Sequence, residues 1–141
     1  MTSEKFSKAV VFIDGASRGN PGPASAGVVF KSAKGEVLKS LSLKIGTATN
    51  NIAEYMALVF ALQEAMMLGV AELEICSDSE LLVKQCKGEY KVKEDSLRLL
   101  FLIAKHLRGG FKHFTIRHVP REENKLADQA ANKALDEELF L

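Results

Sequence analysis

The chain has 141 residues, 47% of them apolar, 26% charged and only 7% aromatic, the profile of one globular domain large enough to hold a core without disulfides or a structural metal. Nineteen basic and 18 acidic residues leave a net charge of +1, which excludes coating of nucleic acid through bulk charge but leaves room for local clusters of opposite sign. No membrane span or signal segment is expected, because the longest unbroken apolar run, Tyr55 to Leu62, has eight residues and the start, Met1 to Lys8, is polar. The two cysteines, Cys76 and Cys86, have no C-x-x-C spacing, and are expected as free thiols of a cytoplasmic protein.

Lys8 to Asp14 is β-branched and aromatic, which predicts a strand that ends at an Asp14-Gly15 turn. The following G-A-S-R-G-N-P-G-P, residues 15–23, reads as a loop. Ala24 to Lys31 resumes as a second strand, Lys34-Gly35 marks a hairpin, and Glu36 to Ile45 gives a third strand, so the first three form an antiparallel meander. From Asn51 the apolar period changes to that of a helix, with Ile52, Tyr55, Met56, Val59, Leu62 and Met66 on one face and an end near Gly69. Glu72 to Ser77 is a fourth strand, and a short helix follows from about Ser79 to Gly88. Asp95 and Ser96 are placed to cap a third helix that stops at Gly109-Gly110, Lys112 to Val119 is a fifth strand, and a last helix starts at about Glu123 with Ala127, Ala130, Ala131, Ala134 and Leu135 on its face. This order predicts an α/β fold with a five-stranded mixed sheet, three antiparallel strands followed by strands reached through helical crossovers. Ligands of such sheets lie outside the carboxyl ends of the strands, which makes acidic residues there the first candidates for chemistry.

Four carboxylates stand out. Asp14 closes the first strand and Asp78 the fourth, Glu54 lies in the first turn of the long helix, and Asp128 lies about one turn into the last. Singly each has an ordinary explanation: Asp14 a turn, Asp78 a helix N-cap, Glu54 a partner of the helix dipole, and Asp128, with Asn124 and Asn132 four residues to either side, part of a solvated polar face. The predicted topology brings all four to one edge. Like charges that close need protons or cations, so together they predict a hard divalent cation held by oxygen. The three histidines, His106, His113 and His118, have no ligand spacing with the cysteines, which disfavours zinc and leaves Mg²⁺ or Mn²⁺. Two such ions about 4 Å apart suit an in-line phosphoryl displacement, and therefore a nuclease. The glycine-rich loop matches neither the P-loop nor the G-x-G-x-x-G pattern.

At this level the chain resembles the type 1 ribonuclease H family, from about residue 8 to residue 137. The motifs that carry the resemblance are D-G-A-S-R-G-N-P-G-P-A at 14–24, T-N-N-I-A-E-Y at 49–55, S-D-S-E-L-L at 77–82 and H-V-P-R-E-E-N-K-L-A-D at 118–128. The resemblance implies a ribonuclease H-like fold with helices on both faces of the sheet, forming a single domain over 1–141. It also implies an endonuclease that cleaves the RNA strand of RNA/DNA hybrids with two Mg²⁺ ions, leaving 5′-phosphate and 3′-hydroxyl ends. Asp14, Glu54, Asp78 and Asp128 match the family's catalytic, metal-binding tetrad. Asn20, Asn50 and Asn51 match positions that contact the hybrid in its minor groove, where a carboxamide suits 2′-hydroxyls and base edges. Thr49 matches a phosphate contact or serves as a helix N-cap. Ser79 matches a nucleic-acid contact, while Glu80 replaces a common glutamine and removes a donor. His118 matches a histidine on a mobile loop that assists proton transfer or product release; otherwise it is a strand-end residue, with Arg117 and Arg121 beside it as alternative phosphate contacts.

The chain also departs from the family pattern. Many members carry a basic, tryptophan-containing protrusion that grips the DNA strand; here there is no tryptophan and only Lys84, Lys87, Lys91 and Lys93 in that stretch. About seven residues precede the first strand, so no amino-terminal hybrid-binding domain is expected. Affinity is expected to be modest and salt-sensitive. No protein partner or membrane is implied, and the chain is expected to act as a monomer. Two rivals are an integrase-like or junction-resolving nuclease, which would lack the asparagine set, and a non-catalytic hybrid-binding module, which would have lost a carboxylate.

Overall fold

A computed structural model describes residues 4–138. A short helix α1 (Glu4–Ser7) leads into strands β1 (Lys8–Ser17), β2 (Gly22–Lys31) and β3 (Val37–Ala48), then α2 (Asn50–Met67), β4 (Glu72–Ser77), α3 (Glu80–Cys86), α4 (Asp95–Arg108), β5 (His113–His118), a 3₁₀ turn (Arg121–Glu123) and α5 (Lys125–Glu138). The sheet order is β3-β2-β1-β4-β5. β1 pairs antiparallel with β2 and β2 antiparallel with β3, whereas β1–β4 and β4–β5 are parallel. The expected meander and crossover strands are therefore both present. No helix among the described residues is long and apolar enough to cross a membrane.

Alternation along the strands divides the side chains between two faces. Phe30, Val11, Ile75 and Ile116 stand in register across four strands and share one core with Tyr55, Leu58 and Leu62 of α2 and Leu97 and Ala104 of α4. The opposite face packs Val29 and Phe12 against Ala127 and Ala130 of α5. α2 buries Tyr55, Val59 and Leu62 of the predicted stripe together with Ala57, Ala61 and Ala65, while Ile52 and Met56 are half-buried and Met66 is 44% exposed; the helix is covered on two sides, by the sheet and by α4, so burial spreads beyond a single face.

Close backbone approach sets where two helices lie. A Cβ on Gly27 of β2 would stand 2.2 Å from the Ala127 carbonyl oxygen and 2.6 Å from the Ala131 amide nitrogen, so the alanine-rich helix rests directly on the strand, tied by Ser25 Oγ donating to the Ala131 carbonyl at 2.5 Å. At Gly15 a Cβ would lie 2.2 Å from the Ala53 carbonyl carbon and 2.3 Å from the Glu54 nitrogen. Only glycine permits that contact.

Several predicted boundaries are corrected. The first strand does not end at Asp14: pairing with β2 continues from Asp14↔Gly27 to Ser17↔Ala24, and the turn shrinks to residues 18–21, closed by the Arg18 amide on the Pro23 carbonyl at 2.8 Å. Gly15 continues the strand because α2 occupies the space a side chain would need. The third strand likewise runs on to Ala48 opposite Gly22. Asp95 and Ser96 do not cap α4; Glu94 holds the N-cap position without a side-chain hydrogen bond. The last helix starts at Lys125 rather than about Glu123, since residues 121–123 form the 3₁₀ turn.

Candidate active site

The last parallel pair of β1 and β4 is Ile13↔Ser77. Asp14 and Asp78 follow these residues on adjacent strands, at the carboxyl edge where β4 stops and β1 continues beside β2 alone. The contact of Gly15 with the Ala53–Glu54 backbone brings the first turn of α2 to the same point. As a result one carboxylate oxygen from each of Asp14, Glu54 and Asp78 lies within 4.8 Å of the other two. Asp128, in the first turn of α5, lies near enough to Asp14 to help raise its pKa. It is exposed, sits at the rim rather than in the tight group of three, and is steadied by Asn132 Nδ2 on its Oδ1 at 3.3 Å.

The electrostatics are those of crowded like charges. Asp14 is 6% exposed, and burial first, then the Asp78 charge, push its pKa from 3.8 to about 7. Glu54 is raised well above the usual carboxylate range, by burial first and by Asp14 next, with the Gly15 amide opposing the rise. Its Oε2 is buried with no hydrogen-bond partner among the described residues. A buried acceptor without a donor, beside two more acidic oxygens, lacks a positive charge. A hard divalent cation with oxygen ligands meets this demand, so the residues fit the implied metal.

Asn124 is the residue that sequence reasoning missed. Far from a solvated polar face, it is 1% exposed, and its Nδ2 donates to the Ile13 carbonyl at 2.9 Å and to Asp78 Oδ2 at 3.3 Å. Its backbone carbonyl accepts the Asp128 amide at 3.1 Å, the first main-chain bond into α5. The side chain thus ties the end of β1 to Asp78, from a residue whose backbone starts the helix that carries Asp128. The N-K-L-A-D spacing, with an asparagine one turn before Asp128, was the available signal.

Asp78 is not the helix N-cap. Ser79 takes that place, its Oγ accepting from the Leu82 amide at 3.2 Å, which leaves the Asp78 carboxylate to the cluster. Thr49 caps α2 through Oγ1 and the Ile52 amide at 3.2 Å, and in both caps the hydroxyl proton stays available. Asn20 Oδ1 accepts the Asn50 amide at 3.0 Å. That bond joins the 18–21 turn to the start of α2 and sets Asn20, Asn50 and Asn51 side by side, all exposed. His118 ends β5 with Nε2 3.3 Å from the Asp78 carbonyl oxygen, so it borders the carboxylates from a strand end. Arg117 is engaged elsewhere, 3.4 Å from Glu74. Lys84 pairs with Glu80 at 2.9 Å and lies over the Tyr90 ring, whereas Lys87, Lys91 and Lys93 form no ion pair among the described residues. Cys76 and Cys86 are free and buried, and burial pushes both thiols up to about 11.

A model of the family described as Reverse transcriptase-like matches residues 12–134. The ribonuclease HI of Halobacterium salinarum is 44% identical over 126 residues, 89% of this chain and 63% of that protein. The crystal structure of ribonuclease H1 from the same archaeon matches with a TM-score of 0.90 at 43% identity, over 92% of this chain and 98% of the other. LC11-RNase H1, solved in complex with an RNA/DNA hybrid, matches with a TM-score of 0.89 at 42% identity, over 94% and 99%. The chain spans under two-thirds of the full length of the halobacterial relative, and 36% of a bifunctional protein of Mycobacterium tuberculosis that is 43% identical over 130 residues. With matches of this extent, the chain belongs to the type 1 ribonuclease H family.

Proposed function

We propose that the chain is a metal-dependent endoribonuclease that hydrolyses the RNA strand of RNA/DNA hybrids, with Asp14, Glu54, Asp78 and Asp128 as metal-holding catalytic residues. The carrying observation is the packed group of Asp14, Glu54 and Asp78, in which burial and mutual charge raise the pKa of Asp14 and Glu54 and one buried oxygen of Glu54 has no donor among the described residues. Two Mg²⁺ ions, or Mn²⁺ in their place, supply charge compensation and activation of water at such a cluster. The chain's own part is to present ionised oxygens at fixed positions: β1 and β4 fix Asp14 and Asp78, the Gly15 contact fixes Glu54, and Asn124 holds Asp78 to the end of β1. Asp14 and Glu54 must release their protons to act as ligands. Attack of water on phosphorus with departure of the 3′ oxygen leaves a 5′-phosphate and a 3′-hydroxyl.

Recognition divides between reading and gripping. Asn20, Asn50 and Asn51 are neutral, exposed and adjacent, which suits 2′-hydroxyls and base edges across a wide minor groove. Thr49 and Ser79 each keep a hydroxyl proton for nucleic acid, and the unpaired Lys87, Lys91 and Lys93 supply salt-sensitive attraction to phosphate. His118, beside Asp78, assists proton transfer or product release. The relative solved with an RNA/DNA hybrid supports this substrate. The enzyme is read as a monomer, and two buried free thiols suit the cytoplasm. The test is a substrate panel of end-labelled RNA/DNA hybrid, duplex DNA and duplex RNA, each with Mg²⁺, Mn²⁺ or chelator. Metal-dependent cleavage of the hybrid with duplex DNA left intact is expected; cleavage of duplex DNA at the same rate would overturn the reading.

A further inference from the structure

Gln85, on α3, is 5% exposed, a position where an amide is unfavourable unless its polar atoms are paired. Both ends are paired. Its Oε1 accepts the Tyr55 hydroxyl proton at 2.6 Å, and its Nε2 donates to the Lys91 carbonyl at 3.3 Å. Tyr55 is 2% exposed and directly follows Glu54 on α2. Lys91 belongs to the segment between α3 and α4, in which residues 87–91 are all exposed. The amide therefore links the turn of α2 that carries Glu54 to the backbone of the cationic segment.

That segment has no regular structure and buries little of itself before Val92, so its position depends on ties from outside. The amides of Glu89 and Tyr90 return to the Lys84 carbonyl and the Lys84 side chain meets Tyr90, holding the start of the segment against α3; Arg108 Nη1 donates to the Cys86 carbonyl at 2.7 Å and Arg98 Nη2 to the Val92 carbonyl at 3.4 Å. Among these ties of the described residues, Gln85 is the one that also reaches α2, through the Tyr55 hydroxyl. Between the two runs an open groove of about 500 Å³, whose lining includes Asn51, Lys91 and Lys93 together with the acidic Glu89 and Glu94. The mechanism above makes no use of Gln85 or Tyr55.

We propose that Gln85 is a positioning residue for nucleic-acid binding, fixing the distance between the Asn51–Glu54 turn of α2 and the cationic segment 87–93 so that one duplex engages both. A methionine would fill the same volume without directing the segment. The pair Tyr55–Gln85 thus sets substrate affinity through Lys87, Lys91 and Lys93 and leaves the carboxylates unaffected. This inference rests on the hybrid-cleaving reading.

The experiment compares Gln85→Met and Tyr55→Phe with the unaltered chain in steady-state hybrid cleavage and in metal-free hybrid binding by fluorescence anisotropy. Gln85→Met is then repeated in a background carrying Lys87→Ala, Lys91→Ala and Lys93→Ala. The expected result is a rise of about 5-fold in both KM and Kd, the effect of losing one net hydrogen bond's worth of placement, with kcat within about two-fold. In the triple-alanine background Gln85→Met is expected to add less than about two-fold, because the groups it places are gone. Tyr55→Phe removes one oxygen from the core and provides the same comparison should Gln85→Met fail to fold. An equal rise in both backgrounds, a fall in kcat with KM unmoved, or unchanged Kd in a folded variant would overturn the proposal. Absence of hybrid cleavage by the unaltered chain would instead overturn the functional reading, with the metal-free binding comparison still deciding the role of Gln85.

Discussion

Replacing Asp14 by asparagine is expected to stabilise the metal-free protein at neutral and alkaline pH. Burial and the Asp78 charge lift the Asp14 pKa from 3.8 to about 7 in the folded chain. Between those values the folded state binds a proton that the unfolded state releases, so stability falls as pH rises. The contribution is complete below pH 3.8 and is lost by the time pH has passed through 7. At about 1.4 kcal/mol for each tenfold change in proton affinity, the rise from 3.8 to about 7 corresponds to roughly 4 kcal/mol. Asparagine carries no charge at any pH and escapes this loss. It also relieves Glu54, whose second-largest perturbation is Asp14 itself. For a domain of this size 1 kcal/mol moves Tm by about 3 °C, so in chelator at pH 8 the variant is expected to melt roughly 10 °C above the unaltered chain, with the gap closing towards pH 4. Thermal melts followed by circular dichroism from pH 4 to pH 9 provide the measurement. A constant offset across that range, or a lower Tm for the variant at pH 8, would refute the reasoning that like charges strain this cluster.

Further predictions concern the ions, the histidine and the packing. Mg²⁺ binding at pH 6.5 is expected to release at least half a proton per protein, roughly the fraction still bound by Asp14 just below its pKa, because ligation requires the ionised form; calorimetry in two buffers of different ionisation enthalpy measures it, and zero release would contradict the raised pKa values. His118→Ala is expected to lower turnover by about 100-fold or less, as befits help with a proton or with release; unchanged single- and multiple-turnover rates would return His118 to a strand-end role. Gly27→Ala is expected to destabilise the fold by about 1–3 kcal/mol or more, since the new methyl meets helix backbone that cannot swing aside; denaturant unfolding with unchanged midpoint would show that α5 is free to move.

How much of this was legible in the sequence depends on which force fixed each element. The Glu72–Ser77 strand and the long helix emerged at nearly their final bounds because burial in a sheet or between layers writes itself into the apolar period. The ends of β1, β2 and β3 did not, because what prolongs them is α2 backbone against Gly15 and pairing beyond the turn, and a glycine reads locally as a breaker. The site followed the same division. Asp14, Glu54 and Asp78 were found through topology and motif, and their convergence followed from strand ends and one helix start. Asn124 looked solvated, since nothing in its neighbours announces that the Ile13 carbonyl, 111 residues away in the chain, needs a donor. Gln85 was hidden for the same reason: its partners belong to a different helix and to an irregular segment.

The central claim is that the carboxylate cluster cuts the RNA strand of a hybrid through bound divalent ions. The most direct measurement incubates RNA/DNA hybrid, labelled on the RNA at either end, with the unaltered chain and with Asp14→Asn, in Mg²⁺ and in chelator, and analyses the fragments and their termini. Internal RNA fragments with 5′-phosphate and 3′-hydroxyl ends, formed only by the unaltered chain and only with metal, are the predicted result. Cleavage that survives chelation, or an Asp14→Asn variant that folds and retains most of its activity in Mg²⁺, would contradict it.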